Sequence, residues 1–149
     1  LDGFTGLSTS LPPFLNKSLI APSNTHANFS NLEYLDLSFN EDLHLDNLRW
    51  LSQLSSLKWL NLSEIGKLSI NLENETNWLQ TMAMMHPPLL ELRLASCRLV
   101  NINPYVKFVN FTSFVTLDLS GNYFDSELHY WLFNISDISH IDLSFNTLQ

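Results

Sequence analysis

Residues 114–122 read FVTLDLSGN, and the pattern behind them, LxxLxLxxN, returns along the chain as LEYLDLSFN at 32–40, LKWLNLSEI at 57–65, LLELRLASC at 89–97 and ISHIDLSFN at 138–146. The starts, 32, 57, 89, 114 and 138, are 25, 32, 25 and 24 residues apart. A fixed period in that range marks a stacked repeat. At the fourth and sixth positions stand Leu35 and Leu37, Leu60 and Leu62, Leu92 and Leu94, Leu117 and Leu119, Ile141 and Leu143. Alternation of this kind is the period of a short β-strand with one buried face. A single coil of this length cannot bury its own leucines. Coils must therefore stack, with their strands in one parallel sheet about 4.8 Å apart. The strand side is narrower than the return side, so the stack is expected to curve with the sheet on its concave face.

The ninth position is Asn in three of the units: Asn40, Asn122 and Asn146. A side-chain amide carries two donors and an acceptor, which suits backbone groups left free where a strand turns away. Cys97 replaces it once, as a small buried residue with a weak donor; a reactive thiol needs an exposed, electropositive setting that nothing nearby supplies. Ile65 replaces it in the second and longest unit, where an irregular return is expected. Between strands the spacing is helical. Trp50, Leu51, Leu54 and Leu57 form one stripe, Trp131, Leu132, Ile135 and Ile138 another, and Trp78, Leu79, Met82 and Met85 or His86 a third. These predict helical turns on the convex side, with the aromatic and Met side chains as core packing and not as a cofactor pocket. Residues 1–31 are less regular, with Asn16, Leu19 and Phe29 as remnants of an upstream coil; the repeats proper occupy 32–149.

Composition narrows the function. At 149 residues and 45% apolar, the chain is one domain's worth of core-forming sequence. Fifteen acidic against seven basic residues give a net charge of −8, which disfavours nucleic acid and direct contact with an anionic membrane. Cys97 stands alone, so no internal disulfide can form. The most apolar stretch, 82–94, is broken by His86, Pro87, Pro88, Glu91 and Arg93, too short and too polar to span a bilayer. The chain begins at Leu1 and shows no charged segment leading into an apolar one, so neither a start nor a leader is expected here. His26, His44, His86, His129 and His140 have neither one another nor cysteine at metal-ligand spacing, and four glycines form no phosphate loop. No cofactor or metal is expected. Asp118 and Asp142 share a column of neighbouring strands about 5 Å apart, near the separation of a retaining glycosidase pair. An open sheet excludes no water and raises no general-acid pKa, so an Asp ladder is the better reading and no enzyme is expected.

The strings LEYLDLSFN, FVTLDLSGN, WLSQLSSLKWLNLS and NFTSFVTLDLSGNYFDSELHYWLF resemble the plant-specific class of extracellular leucine-rich repeats found in receptor-like proteins and receptor-like kinases. The likeness is greatest to receptor-like proteins without a kinase, including those that perceive fungal elicitors, and it covers residues 29–149. In that class an LxGxIP continuation follows each strand. Asn122, Phe124 and Leu128 fit it, while Ser126 and His129 stand where the second Gly and the Pro would be. The resemblance implies an α/β fold: a right-handed leucine-rich-repeat solenoid of about five repeats. It also implies a ligand-binding role on the extracellular side of the plasma membrane, for a peptide, protein or glycan, with a membrane co-receptor kinase as partner of the intact protein. Cysteine-paired caps, a membrane span and a kinase motif are missing from the sequence, so the chain is expected to be a fragment of an ectodomain. A secreted inhibitor of pathogen wall-degrading enzymes would use the same concave face and is the alternative. An intracellular immune sensor is a third reading, disfavoured by the sequons below.

Six Asn-x-Ser/Thr sequons occur, at Asn16, Asn28, Asn61, Asn74, Asn110 and Asn134. Asn28, Asn110 and Asn134 each lie four residues before the first position of a repeat, a single column on the return side. Glycans are expected at Asn16, Asn28, Asn74, Asn110 and Asn134, an extracellular feature. An ordinary turn-forming role for Asn is the competing reading. Asn61 is the exception, lying on the strand between Leu60 and Leu62.

The concave columns carry the binding expectation. Third-position residues are Tyr34, Trp59, Glu91, Thr116 and His140; fifth-position residues are Asp36, Asn61, Arg93, Asp118 and Asp142; eighth-position residues are Phe39, Glu64, Ser96, Gly121 and Phe145. Exposed aromatics beside charges are what a recognition surface needs. The Asp and Ser of LDLS read as family framework. Ligand choice is therefore expected to rest with Tyr34, Phe39, Trp59, Glu64, Glu91, Arg93, His140 and Phe145.

Overall fold

The structure, a computed structural model, describes residues 31–45, 48–68, 89–100, 114–125 and 135–148. In chain order its strands are β1 (Tyr34–Asp36), β2 (His44–Leu45), β3 (Trp59–Asn61), β4 (Lys67–Leu68), β5 (Glu91–Arg93), β6 (Thr116–Asp118) and β7 (His140–Asp142). Five of them form one sheet in the order β1-β3-β5-β6-β7, every neighbouring pair parallel. Spatial order follows sequence order, so each passage of the chain adds one strand beside the last. That arrangement is compatible with a stack of repeats.

Register follows the leucines. Leu35 pairs with Leu60, Leu60 with Leu92, Leu92 with Leu117 and Leu117 with Ile141. A slip by one residue would turn every fourth-position side chain to the other face. On the inner side these leucines join Leu62, Leu94 and Leu119 and the first-position residues Leu57, Leu89 and Phe114 in one buried cluster. Ile141 is 36% exposed, and no further coil among the described residues packs on it.

Backbone pairing continues past each strand. The sixth-position N–H donates to the fifth-position carbonyl of the next coil, as from Leu62 to Arg93 and from Leu94 to Asp118. The eighth-position N–H donates to the next seventh-position carbonyl, as from Phe39 to Ser63, Glu64 to Ala95, Ser96 to Ser120 and Gly121 to Ser144. To aim that last N–H along the stack while the chain turns away, the eighth residue adopts a left-handed backbone in every unit: φ is 55° at Phe39, Glu64 and Phe145, 53° at Ser96 and 64° at Gly121. Only one of the five is glycine, the residue for which this region is unstrained.

The ninth position then closes the turn. Asn122 Oδ1 accepts from the N–H of Cys97 and of Leu99 (3.0 and 2.9 Å), while its Nδ2 donates to the carbonyls of Leu94 and Leu119, both 2.9 Å away. Asn146 repeats the arrangement one coil on, with Nδ2 donating to Leu119 and Leu143 and Oδ1 accepting from Phe124. Cys97 does the donor half of the job: its Sγ donates to the Leu62 carbonyl, 3.1 Å away, the sixth-position carbonyl of the preceding coil. Burial pushes this thiol from an ordinary 9.0 up to about 12, against smaller lowering by backbone hydrogen bonds.

Two features depart from the sequence-based expectation. Among the described residues there is no α-helix. The return after β2 is a 3₁₀ turn, Arg49–Gln53, held by i→i+3 bonds from Leu51 to Leu48, Leu54 to Leu51 and Leu57 to Leu54. Leu48, Leu51, Leu54 and Leu57 are all buried and fall every third residue, which is the period of a 3₁₀ helix and not of an α-helix. The stripes of 78–86 and 131–132 lie outside the described residues, as does the irregular return expected beyond residue 68. The second departure is an additional ladder: β2 pairs in parallel with β4, His44 opposite Lys67 and Leu45 opposite Leu68, and Val100 bridges Tyr123 two junctions on. Gly66 lets this ladder form. Its N–H donates to the Asn40 carbonyl, and a Cβ there would lie 2.7 Å from the Glu41 carbonyl carbon and closer still to its oxygen.

Three substitutions separate these contributions in urea denaturation. Gly66→Ala should destabilise by more than about 2 kcal/mol because backbone has to move. Asn122→Ala should cost about 2 to 3 kcal/mol by orphaning buried backbone groups. Cys97→Ala should cost about 1 kcal/mol and Cys97→Ser less, since a hydroxyl can still donate to Leu62. The raised Cys97 pKa adds a pH signature. Its stabilising contribution is complete below pH 9 and is lost as pH rises toward 12, so stability relative to Cys97→Ser should fall across that interval. Equal stability of Gly66→Ala and the parent chain would contradict the close backbone approach.

Candidate functional site

The sheet has one face packed on leucines and one face open, and the open face carries the third and fifth positions of every coil. Strand alternation puts them there. Tyr34, Asp36, Arg93 and His140 are exposed, while Trp59, Asn61, Glu91, Thr116, Asp118 and Asp142 are half-buried between neighbours. The eighth-position side chains leave the chain at the strand exits along the same edge. Phe39 is 75% and Phe145 87% exposed, Tyr34 58%.

The binding candidates fall into three groups. Tyr34 and Trp59 lie opposite each other in register, and their rings stack with centroids 3.9 Å apart and planes 7° from parallel. Each ring covers one face of the other, which leaves the ring edges, the outer face of Tyr34 and its hydroxyl open to a ligand. Glu91 and Arg93 lie on one strand two residues apart, and Arg93 Nε donates to Glu91 Oε1. Phe39, Glu64 and Phe145 occupy the left-handed exits. His140 sits at the far end, two residues before Asp142 on β7.

The Asp column is tied to the framework. Asp36 Oδ1 accepts from the N–H and Oγ of Ser38 (2.9 and 2.7 Å), and Asp118 Oδ1 from those of Ser120 (3.0 and 2.7 Å). Asp142 Oδ1 accepts from the Ser144 N–H at 2.9 Å. Hydrogen bonds from Ser144, side chain first and then backbone, hold the Asp142 carboxyl below its ordinary range, so it is anionic at neutral pH. Asn61 does the same for Ser63, its Oδ1 accepting the N–H at 3.0 Å. Arg93 cannot accept, and the N–H two residues on, that of Ala95, donates instead to Ser63 Oγ of the preceding coil (3.1 Å). One irregularity on the open face is thus absorbed by the neighbouring coil.

Among the described residues no three His, Cys, Asp or Glu side chains gather at metal-binding distance, and no helix is long and apolar enough to cross a membrane. The glycosylation candidates Asn16, Asn28, Asn74, Asn110 and Asn134 lie outside the described residues. Sequence reasoning found the open columns but not the left-handed exits, whose one local signal was Gly121.

Over 124 residues the chain is 30% identical to Receptor-like protein 47 of Arabidopsis thaliana. The likeness is to a plant receptor-like protein. The aligned part covers 80% of this chain and 14% of that protein, so the chain spans a small part of the length of the curated relative it matches. No family model matches the sequence. No solved structure matches it either.

The eighth position tests what these side chains are for. A non-glycine residue in the left-handed region costs of the order of 1 kcal/mol, and glycine there loses part of that gain through its freer unfolded chain. Phe39→Gly and Phe145→Gly should therefore leave stability unchanged or raise it by up to about 1 kcal/mol. Phe145→Val should lower it by about 1 to 2 kcal/mol, because a β-branched residue tolerates positive φ poorly. A loss above 2 kcal/mol in either glycine variant, measured by urea denaturation, would mean these rings serve the fold.

Proposed function

We propose that this chain is a ligand-recognition stretch of the extracellular part of a plant receptor-like protein, built as a leucine-rich-repeat solenoid whose concave sheet face meets the ligand. It does no catalysis. The observation that carries this reading is the pairing of an open, aromatic and charged sheet face with sequence similarity to a plant receptor-like protein. The wall-degrading-enzyme inhibitor gains no support from that similarity. On this reading the chain works outside the cell, the sequons at Asn28, Asn110 and Asn134 carry glycans, and a membrane co-receptor kinase completes the signalling complex.

Geometry favours a partner that lies across the strands over one that inserts. Five strands about 4.8 Å apart, each with about five residues at 3.3 Å, give a patch near 300 Å². A standard interface takes about 800 Å² from each partner, so this stretch supplies part of a longer contact. Within it, the stacked Tyr34 and Trp59 are rigid anchors that lose little entropy on binding, and Arg93 is already oriented by Glu91.

In the intact receptor, Tyr34→Ala, Trp59→Ala and Arg93→Ala should each weaken ligand or partner binding by about 1 to 2 kcal/mol without loss of folded protein. Leu60→Ala and Leu117→Ala should instead lower folded yield, by about 2 to 5 kcal/mol of stability. Binding per folded molecule is the quantity to compare. Normal binding by all three surface variants, with binding lost on changing exposed return-side residues such as Gln53 or Ser55, would overturn the assignment of the face.

A further inference from the structure

The open face is not uniform from end to end. Its β1–β3 end carries the stacked Tyr34 and Trp59, and its β6–β7 end carries Asp118 and Asp142, directly in register on adjacent strands. Strand spacing puts those two carboxylates about 5 Å apart. The fold does not need their charge, because Asn61 in the same column makes the corresponding hydrogen bond to Ser63 as a neutral amide. Between the two ends, Arg93, the cation of these columns, is neutralised by Glu91 on its own strand. Among the described residues of the third, fifth and eighth columns, Asp36, Glu64, Asp118 and Asp142 have no cationic partner apart from the neighbouring His140. An aromatic anchor and an uncompensated anionic site therefore share one continuous sheet face.

We propose that this face takes an extended peptide that places a basic side chain over Asp118 and Asp142 and an apolar or aromatic side chain against the edges of Trp59 and Tyr34. The proposal rests on the reading of the sheet face as the ligand-binding surface and adds the chemistry of the ligand to it. The spacing is set by the sheet. From β3 to β7 there are three strand steps, about 14 Å, which an extended chain covers in four residues. The peptide runs across the strands and carries its basic and apolar groups at positions i and i+4. The Glu91 and Arg93 pair lies midway, under the peptide's central residues, where small polar side chains fit. A uniformly acidic peptide is repelled by the same surface.

The test uses this chain and the synthetic peptide Ac-Arg-Ser-Gly-Ser-Phe-NH2, titrated by NMR chemical-shift changes. Two double variants remove the same charge from different places: Asp118→Asn with Asp142→Asn on the face, and Asp42→Asn with Asp137→Asn away from its columns. The first pair keeps the Oδ1 acceptor, as Asn61 does, and equal melting temperatures confirm that the fold is retained. The expected result is shifts at Trp59, Thr116 and His140, affinity at least fivefold weaker in the face variant than in the off-face variant, and at least fivefold weaker for the peptide with Arg replaced by Glu. Moving Phe next to Arg should weaken binding similarly. Equal weakening by the two double variants, or no binding of the peptide at several millimolar, overturns the proposal. If Trp59→Ala abolishes binding while the face variant binds normally, the proposal fails and the sheet face stands as the binding surface. If neither variant matters, both fall.

Discussion

No coil of this chain can bury its own leucines, and everything else in the structure follows from how one coil covers the next. The leucines fix the register, because only in-register stacking keeps Leu35, Leu60, Leu92 and Leu117 on the inner side. Backbone pairing then has to run along the stack from one coil to the next. It does so through the strands and, beyond them, through the left-handed eighth residue and the ninth-position side chain. The same alternation that buries the fourth position leaves the third and fifth free. Apart from the hydrogen bonds that tie the fifth-position side chains to the Ser two residues on, that side of the sheet takes no part in the leucine packing between coils.

That division explains where substitutions are absorbed. At the ninth position, Cys97 replaces an amide and keeps its donor role toward the carbonyls of Leu62 and, at longer range, Ala95, while Asn122 of the next coil supplies an acceptor for the Cys97 N–H. On the open face, Arg93 replaces an Asp and the orphaned Ala95 N–H is met by Ser63 of the coil before. Each coil is thus completed by its neighbours on both sides. A surface built this way can change its third-position and eighth-position side chains freely, within the limit set by the left-handed backbone.

The sequence made the strands and the open columns legible because both rest on period two, which a parallel sheet enforces without exception here. Ninth-position chemistry was legible for a similar reason: Asn and Cys both donate, and a turn needs donors. The return side was harder. Leu48, Leu51, Leu54 and Leu57 recur every three residues, and a stripe that short fits an α-helix almost as well as the 3₁₀ turn that forms. The second ladder, β2 with β4, rests on two-residue strands whose only trace is Leu43 and Leu45 flanking His44. The left-handed exits are hidden because four of the five residues there are not glycine. For the open face, the columns could be read, but the Tyr34 and Trp59 stack and the Glu91 and Arg93 pair could not, since both depend on side-chain direction.

Amide hydrogen exchange resolved residue by residue tests the stacking most directly. The N–H groups of Leu62, Glu64, Leu94 and Ser96 donate only to the next coil, so they are protected only if the coils stack in this register. They should exchange slowly and as a group, while exposed turn amides such as those of Glu41 and Ser136 exchange fast. Fast exchange at Leu62 and Leu94, or protection confined to the strand residues Leu60 and Leu92 and absent at Glu64 and Ser96, would contradict the account.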